Sequence, residues 1–348
     1  MPPLFSVRHA CVIEKAAAWP PQSKNMEDCN MRRLSIIALS LFLATTAFAA
    51  DDVVRRGFNV APGGTLRLDA DIGSIKIVTG GTGVAVEVVR EAWGRNGDDV
   101  LKEHQIKFQQ NGNDVVITSD FEDRWDRWFR KYSVQWNIRV PSRYNLDIQT
   151  SGGSIELADI GGTVQARTSG GSIATGRLAG DSELKSSGGS ISVGGGDAHI
   201  KAHTSGGSIT IGNTSGPVEA RTSGGSIKLA HIAGEVVART SGGGIRIDDA
   251  MGTVDASTSG GSIHASMSRQ PKSDSRLSTS GGGVTLEIAP NIAVDLDAHA
   301  SGGGVHADVP VTVLGTQDDN SVRGKINGGG PKLVLRTSGG GIRVRASS

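Results

Sequence analysis

A six-residue motif that recurs at a fixed step constrains this chain more than any other feature. Thr-Ser-Gly-Gly-Ser-Ile, or a close variant, begins 18 residues apart at Thr150, Thr168, Ser186, Thr204, Thr222, Thr240 and Thr258. The series continues after longer gaps at Thr279, Ala300 and Thr337, where glycine replaces the second serine. Because a short repeat can bury its apolar side only against its neighbours, this period predicts a stack of similar coils.

Each repeat has the pattern of a strand, a corner and a second strand. In the unit 164–175, small or apolar residues alternate with polar ones on both sides of the pair Gly170–Gly171. The apolar positions recur in two columns, Val164, Ser182, Ile200, Val218, Val236, Val254 and Ile155, Ile173, Ser190–Ile191, Ile209, Ile227, Ile245, Ile263. The glycine pairs permit positive φ and close backbone approach at the corners.

These patterns predict an all-β fold, a right-handed, single-stranded parallel β-helix (β-solenoid) of 18-residue coils. The left-handed hexapeptide helix has the same coil length, but it needs an aliphatic residue every six positions. Stepping by six from Ile155 gives Gly161 and Arg167, which excludes it. The chain has no aromatic residue after Tyr144, as expected for a core too thin to hold one.

The first fifty residues have the features of a segment removed before folding. Residues 31–49 are predicted to be a signal peptide, with basic Arg32 and Arg33, an apolar stretch at 34–43, and a cleavage site at 47–49. We interpret residues 1–30, which precede a complete signal peptide, as a start-site artefact. We therefore expect an exported protein that is periplasmic, on the cell surface or secreted, with no transmembrane segment in the mature chain.

Charge and cysteine content exclude several classes of protein. The segment 1–49 contains five of the 36 basic and three of the 35 acidic residues, which leaves 31 against 32. A net charge near −1 predicts no nucleic-acid partner. Both cysteines, Cys11 and Cys29, lie in that segment, so no disulfide is expected in the mature chain.

We predict that residues 50–145 form a diverged, β-rich N-terminal cap with the first coil, and that residues 146–348 form the solenoid repeats. Residues 66–77 resemble 146–157, and a hairpin pattern turns at 111–113. Five aromatic residues follow at helical spacing, Phe121, Trp125, Trp128, Phe129 and Tyr132. They predict either a short helix that covers the solenoid or, with neighbouring arginines around Trp125 and Trp128, a patch that binds a glycan or an anionic lipid surface.

The most specific surface feature is a column of basic residues, which we call the basic ladder. It comprises Arg167, Lys185, His203, Arg221 and Arg239, each one coil apart. Like charges stacked this closely repel, so Glu183 and Glu219, two residues earlier in their coils, are expected to offset part of the repulsion. The ladder is either an ordinary solvated face or a binding site for an anionic polysaccharide or lipopolysaccharide.

No catalytic, metal or cofactor site is predicted. A catalytic serine needs one histidine partner and one oxyanion hole, whereas ten copies of the motif indicate a structural role. The seven histidines after residue 49 include no His-Glu-x-x-His pattern. Polysaccharide-cleaving β-helices gather their charged groups in grooves built from long loops, which regular coils do not provide.

The export signal, the opening Leu-x-Leu…Gly-Ser-Ile-x-Ile unit at 66–77 and the Thr-Ser-Gly-Gly-Ser-Ile coils together resemble the bacterial putative-adhesin family of domains of unknown function. The likeness covers about residues 53–346 and implies a right-handed β-solenoid on an exported protein. The family supplies no catalytic residues to transfer. The absence of an anchor signal departs from what a surface adhesin needs, and it leaves a periplasmic role open.

Three hypotheses for function follow. The leading one is a non-enzymatic structural or adhesion module of the cell envelope, which binds a surface polysaccharide or a protein partner through repeated weak contacts. The alternative is a periplasmic module that binds anionic glycan through the basic ladder. A carbohydrate-active enzyme ranks third, and the sequence does not define an oligomeric state.

Overall fold

The computed structural model describes residues 49–93, 97–121, 131–314 and 318–347. The predicted start-site segment and the predicted signal peptide up to residue 48 lie outside these residues, as do Trp125, Trp128 and the rest of 122–130. The described part contains one short helix, α1 (Gly97–Glu103). No helix in these ranges is long and apolar enough to cross a membrane.

Apart from α1, the regular structure consists of strands. The N-terminal strands are β1 (Ala49–Phe58), β2 (Thr65–Ala70), β3 (Ser74–Thr79), β4 (Val84–Trp93), β5 (His104–Asn111), β6 (Asp114–Phe121) and β7 (Lys131–Val140). The central strands are β8 (Asn145–Thr150), β9 (Ile155–Leu157), β10 (Val164–Thr168), β11 (Ile173–Leu178), β12 (Ser182–Ser186), β13 (Ile191–Gly196), β14 (Ile200–Thr204), β15 (Ile209–Thr214), β16 (Val218–Arg221), β17 (Ile227–Ile232), β18 (Val236–Thr240), β19 (Ile245–Ala250), β20 (Val254–Thr258) and β21 (Ile263–Met267). The C-terminal strands are β22 (Ser275–Thr279), β23 (Val284–Ile288), β24 (Val294–Ala300), β25 (Val305–Ala307), β26 (Thr312–Val313), β27 (Ser321–Ile326), β28 (Lys332–Thr337) and β29 (Ile342–Ala346).

The strands form two sheets that face each other across a thin apolar core. One sheet has 14 strands in the order β1-β4-β7-β3-β9-β11-β13-β15-β17-β19-β21-β23-β29-β25. The other has 15 strands in the order β26-β27-β24-β28-β22-β20-β18-β16-β14-β12-β10-β8-β2-β6-β5. Each regular coil contributes one strand to each sheet, which confirms the predicted β-solenoid.

The register confirms both predicted apolar columns. Val164 pairs with Ser182, and the column continues through Ile200, Val218 and Val236 to Val254. The second column runs from Ile155 to Ile263, with Ile191 rather than Ser190 as its member. These side chains are at most 4% exposed, so like residues stack on like along the whole core.

A threonine or serine begins every motif from Thr168 to Thr337 except the one at Ala300, and its contacts explain why the repeat is so regular. Its hydroxyl is buried and donates a hydrogen bond of 2.6–2.8 Å to the carbonyl of the second motif glycine in the neighbouring coil. In most coils the same oxygen accepts the N–H of its own second glycine, as Ser186 does at 3.0 Å. The second motif serine accepts the N–H of its counterpart in the next coil, from Ser154 to Ser208. Each corner is therefore bonded to the next.

The motif glycines are required because neighbouring coils approach each other closely, and not because their backbone adopts positive φ. A Cβ added at the second glycine of the pair would lie 2.1–2.4 Å from a carbonyl oxygen of the adjacent coil, from Gly171 through Gly282. A Cβ added at the first glycine has more space, since at Gly170 it would lie 3.5 Å from its nearest atom, the carbonyl oxygen of Gly152. The expectation of positive φ is wrong for these pairs, because the left-handed glycines lie at other turns such as Gly112 and Gly328.

At both ends of the solenoid the order of coils in space differs from their order in sequence. The coil of β2 and β3 lies between the coil of β6 and β7 and the coil of β8 and β9. The coil of β28 and β29 likewise lies between that of β22 and β23 and that of β24 and β25. The coil of β28 and β29 is therefore inserted beneath the coil of β24 and β25, and β27 and β26 extend the 15-stranded sheet beyond β24.

A buried polar cluster fixes the N-terminal end. His104 is 2% exposed, stacks on Phe121 at 4.7 Å, and makes hydrogen bonds with Ser119 at 2.6 Å and Tyr132 at 2.7 Å. Phe121 and Tyr132 belong to strands β6 and β7, so the predicted helix is wrong at both of its ends. Burial, and then the charge of Arg90, lower the pKa of His104 to about 4, against a smaller opposing effect of Asp120.

The contrast between the two motif glycines gives a first prediction. Gly171→Ala places a methyl group against the Gly153 carbonyl, at 2.2 Å, and should lower the free energy of unfolding by about 2 kcal/mol. Gly170→Ala, which meets its nearest atom at 3.5 Å, is the matched control and should change stability by less than about 0.5 kcal/mol. Urea unfolding of both variants tests this, and equal losses would contradict the explanation.

The stack should also tolerate removal of one whole coil. Deleting residues 205–222 joins Thr204 to Ser223 and preserves both the motif and the register of the columns. We expect an unchanged circular dichroism spectrum per residue and a cooperative melt, because each coil contacts only its neighbours. Deleting the nine residues 205–213 removes half a coil and should prevent folding; a folded product would contradict the two-sheet register.

The His104 cluster predicts acid sensitivity. Since the pKa of His104 falls from 6.5 to about 4 on folding, the unfolded chain binds the proton more readily, and stability is lost as the pH falls from about 6.5 to 4. The loss from this residue is about 3 kcal/mol. Urea unfolding at pH 7 and pH 4 should show a smaller acid loss for His104→Gln than for the parent chain, whereas equal losses would contradict the assignment.

Candidate functional site

The basic ladder is the candidate site whose position follows most directly from the 18-residue repeat. Its five residues lie on β10, β12, β14, β16 and β18 of the 15-stranded sheet, directly opposite one another in register. The row is Arg167, Lys185, His203, Arg221 and Arg239. It continues to Gln149 on one side and Ser257 on the other, so the run of basic residues ends there.

Carboxylates of the adjacent outward row neutralise most of the ladder. Arg167 lies 3.2 Å from Glu183 and 3.9 Å from Asp147. Lys185 also pairs with Glu183. Arg221 lies 2.9 Å from Glu219, and Arg239 lies 2.6 Å from Asp255. The expected contribution of Glu183 and Glu219 to offsetting the repulsion is present.

Glu183 lies at the centre of this charge network. A hydrogen bond from Lys185 is the largest cause that holds the pKa of Glu183 below its ordinary value, against the opposing effect of burial, and the charges of Lys185, Arg167 and Lys201 lower it further. The carboxylate is thus ionised at neutral pH and remains paired with its cations. Within the described part of the chain, His203 is the ladder residue that has neither an ion pair nor a hydrogen bond from its side chain.

A shallow groove of about 380 Å³ runs beside the ladder. One wall consists of Arg167, Lys185 and His203, and the other of exposed first serines of the motif, Ser151, Ser169, Ser187 and Ser205. The groove therefore offers a serine hydroxyl at every coil, about 4.8 Å apart, and cations at the coils of Arg167 and Lys185. Trp125 and Trp128, the other predicted binding residues, lie outside the described residues.

A second basic row was missed by the sequence reasoning. Lys228, Arg246 and His264 lie in register on the outer face of the 14-stranded sheet, and Thr285, Arg343 and His306 continue the row. The first three recur at the 18-residue step, which was a signal that could have revealed them. The others could not be found in this way, because β29 is inserted between β23 and β25.

The described ranges contain no group of three histidine, cysteine, aspartate or glutamate side chains placed to hold a metal ion. The motif serines are spread along the solenoid, and Ser119 and His104, which do lie in contact, are both buried.

A search of curated proteins finds no match. Among solved structures, a "putative cell adhesion protein" from Clostridium sporogenes shares 10% identity, with 86% of this chain and 100% of that chain covered and a TM-score of 0.22. A "putative adhesin" from Bacteroides fragilis shares 10% identity, with 85% and 97% covered and a TM-score of 0.30. Both TM-scores are low, so we draw no conclusion about this chain from either protein.

The family comparison, in contrast, covers most of the chain. The model of the Toastrack DUF4097 family matches residues 74–345, from strand β3 to within the last strand, β29. This range includes every copy of the repeated motif and most of the N-terminal strands. The resemblance indicated by the motif is thereby confirmed, and the chain belongs to the Toastrack DUF4097 family of domains of unknown function.

Proposed function

We propose that this chain is an exported, non-enzymatic module of the cell envelope, of structural or adhesion type, which binds a surface polymer or a protein partner. The observation that carries the proposal is the exposed first serine of the motif, which recurs at every copy from Ser151 to Ser338. A row of this kind presents many identical weak contacts, whose combined strength exceeds that of any one of them. Membership of the Toastrack family is consistent with this role.

Two of the three hydroxyls of a typical motif already have structural partners, which supports a non-enzymatic role for them. The first hydroxyl donates to a glycine carbonyl, and the second serine accepts a backbone N–H of the next coil. A nucleophilic serine would instead need a histidine as its base and donors for an oxyanion. Among the described motif serines and threonines, none has a histidine as its hydrogen-bond partner.

The alternative, a module that binds anionic glycan through the basic ladder, is less favoured. Four of the five ladder residues form ion pairs with carboxylates, so an anionic ligand would have to displace Glu183, Glu219 and Asp255. We therefore propose the groove beside the ladder as a place of polar contact through its serines as well as its cations. Binding of this kind should depend little on salt.

A binding screen against isolated peptidoglycan, lipopolysaccharide and envelope proteins tests the proposal. We expect saturable binding of the purified chain to one of these fractions, with affinity that changes less than about threefold between low and high salt. Deletion of two whole coils, residues 187–222, should weaken that binding by about tenfold, because fewer repeated contacts remain.

The charge-reversal variant Arg221→Glu plus Arg239→Glu separates the two hypotheses. Under the leading proposal its binding stays close to that of the parent chain, whereas loss of binding together with steep salt dependence would favour the anionic-glycan alternative. Hydrolysis or cleavage of any polymer in the screen would contradict a non-enzymatic role. Circular dichroism of each variant verifies that its fold is retained.

A further inference from the structure

Strand β1 has a free edge. It is the terminal strand of the 14-stranded sheet and pairs on one side with β4 over all ten of its residues. No strand within the described ranges pairs with its other side. An edge of this length presents a row of unpaired N–H and C=O groups, which is a template for another strand.

The other sheet edges lack the length of β1, its charge pattern, or both. Strands β25 and β26, at the far end of the solenoid, have three and two residues. The remaining edge, β5, reads His-Gln-Ile-Lys-Phe-Gln-Gln-Asn and has one formal charge. Strand β1 differs from all of them, because it is long and carries two acidic and two basic residues.

The charges of β1 are arranged so that the strand complements itself. Asp51, Val53 and Arg55 lie on one face of the strand, and Asp52, Val54 and Arg56 lie on the other. A two-fold axis at Val53 makes the first face self-complementary and places Asp52 opposite Val54. Side chains that lie directly opposite in an antiparallel pair share a face. Asp-Val-Arg read in one direction therefore meets Arg-Val-Asp read in the other.

We propose that two copies of this chain associate by pairing their β1 strands antiparallel about a two-fold axis at Val53. Asp51 then lies opposite the partner's Arg55, and Arg55 opposite the partner's Asp51. Val53 meets Val53 of the partner subunit at the centre. Such an interface uses the same surface twice, as closed two-fold dimers require, and it joins two solenoids through one continuous sheet.

The exposure of the three residues fits this pairing. Val53 is 40% exposed, which makes it one of the few large apolar side chains on the described surface, and the dimer would cover it. Asp51 is exposed and has no ion pair among the described residues. The Arg55 side chain is 70% exposed; its 2.6 Å contact with Glu87 is a surface ion pair of small energy, which leaves the guanidinium able to bind a second carboxylate.

Charge reversal at Asp51 and Arg55 tests the proposal. Asp51→Arg and Arg55→Asp each turn two attractive contacts of the dimer into two repulsive ones, and each should raise the dimer dissociation constant at least about tenfold. An equimolar mixture of the two variants pairs Arg with Asp at both positions, so dimers should reappear as the mixed species. Analytical ultracentrifugation measures the dissociation constants, and native mass spectrometry distinguishes the mixed dimer by mass.

Asp197→Arg is the matched control, since it reverses a charge on an exposed residue in the central part of the solenoid and should leave association unchanged. The thermal melt of every variant verifies folding. A parent chain that stays monomeric over the whole concentration series would overturn the proposal. A dimer that forms equally well in both single variants, or that is not restored in the mixture, would also overturn it.

Discussion

The structure depends on one contact, the bond from a buried motif hydroxyl to the glycine carbonyl of the neighbouring coil. Thr222 donates to Gly207 at 2.7 Å, and the same geometry recurs along the stack. The contact requires both a hydroxyl at the first motif position and a glycine at the fourth, because a Cβ there would meet the carbonyl of the next coil. Spacing between coils is therefore fixed at the corner, and the apolar columns only need to fill the gap between the two sheets.

This dependence explains what the sequence could predict. The 18-residue period was sufficient to assign the solenoid, both core columns and the register of the basic ladder, because every regular coil repeats the same contacts. The sequence could not show which of two reasons requires the motif glycines, since close approach of the backbone and positive φ both favour glycine. The insertion of β28 and β29 beneath β24 and β25 was not accessible either, because the repeat defines the neighbours of a coil only where consecutive coils stack.

The helical spacing of aromatic residues near the N-terminal end also led to a wrong prediction of secondary structure. Phe121 and Tyr132 have helical spacing, yet each belongs to a strand, and both pack around His104. For the candidate site, the sequence predicted the positions of the ladder cations and the part of their neutralisation that Glu183 and Glu219 supply. It did not predict the ion pairs between adjacent coils, such as that of Arg239 with Asp255. A row of like charges in a solenoid is therefore informative only together with the row beside it.

The swapped coil of β28 and β29 has a mechanical consequence. In a simple solenoid the terminal strand has one neighbour and can peel away alone, so fraying begins there. Here the last strands, β28 and β29, are each held between two others, and Thr337 bonds to Gly282, 55 residues earlier. Pulling on the C-terminus must break two ladders of hydrogen bonds at once in each sheet. Unravelling that starts from β28 and β29 is thus resisted by topology.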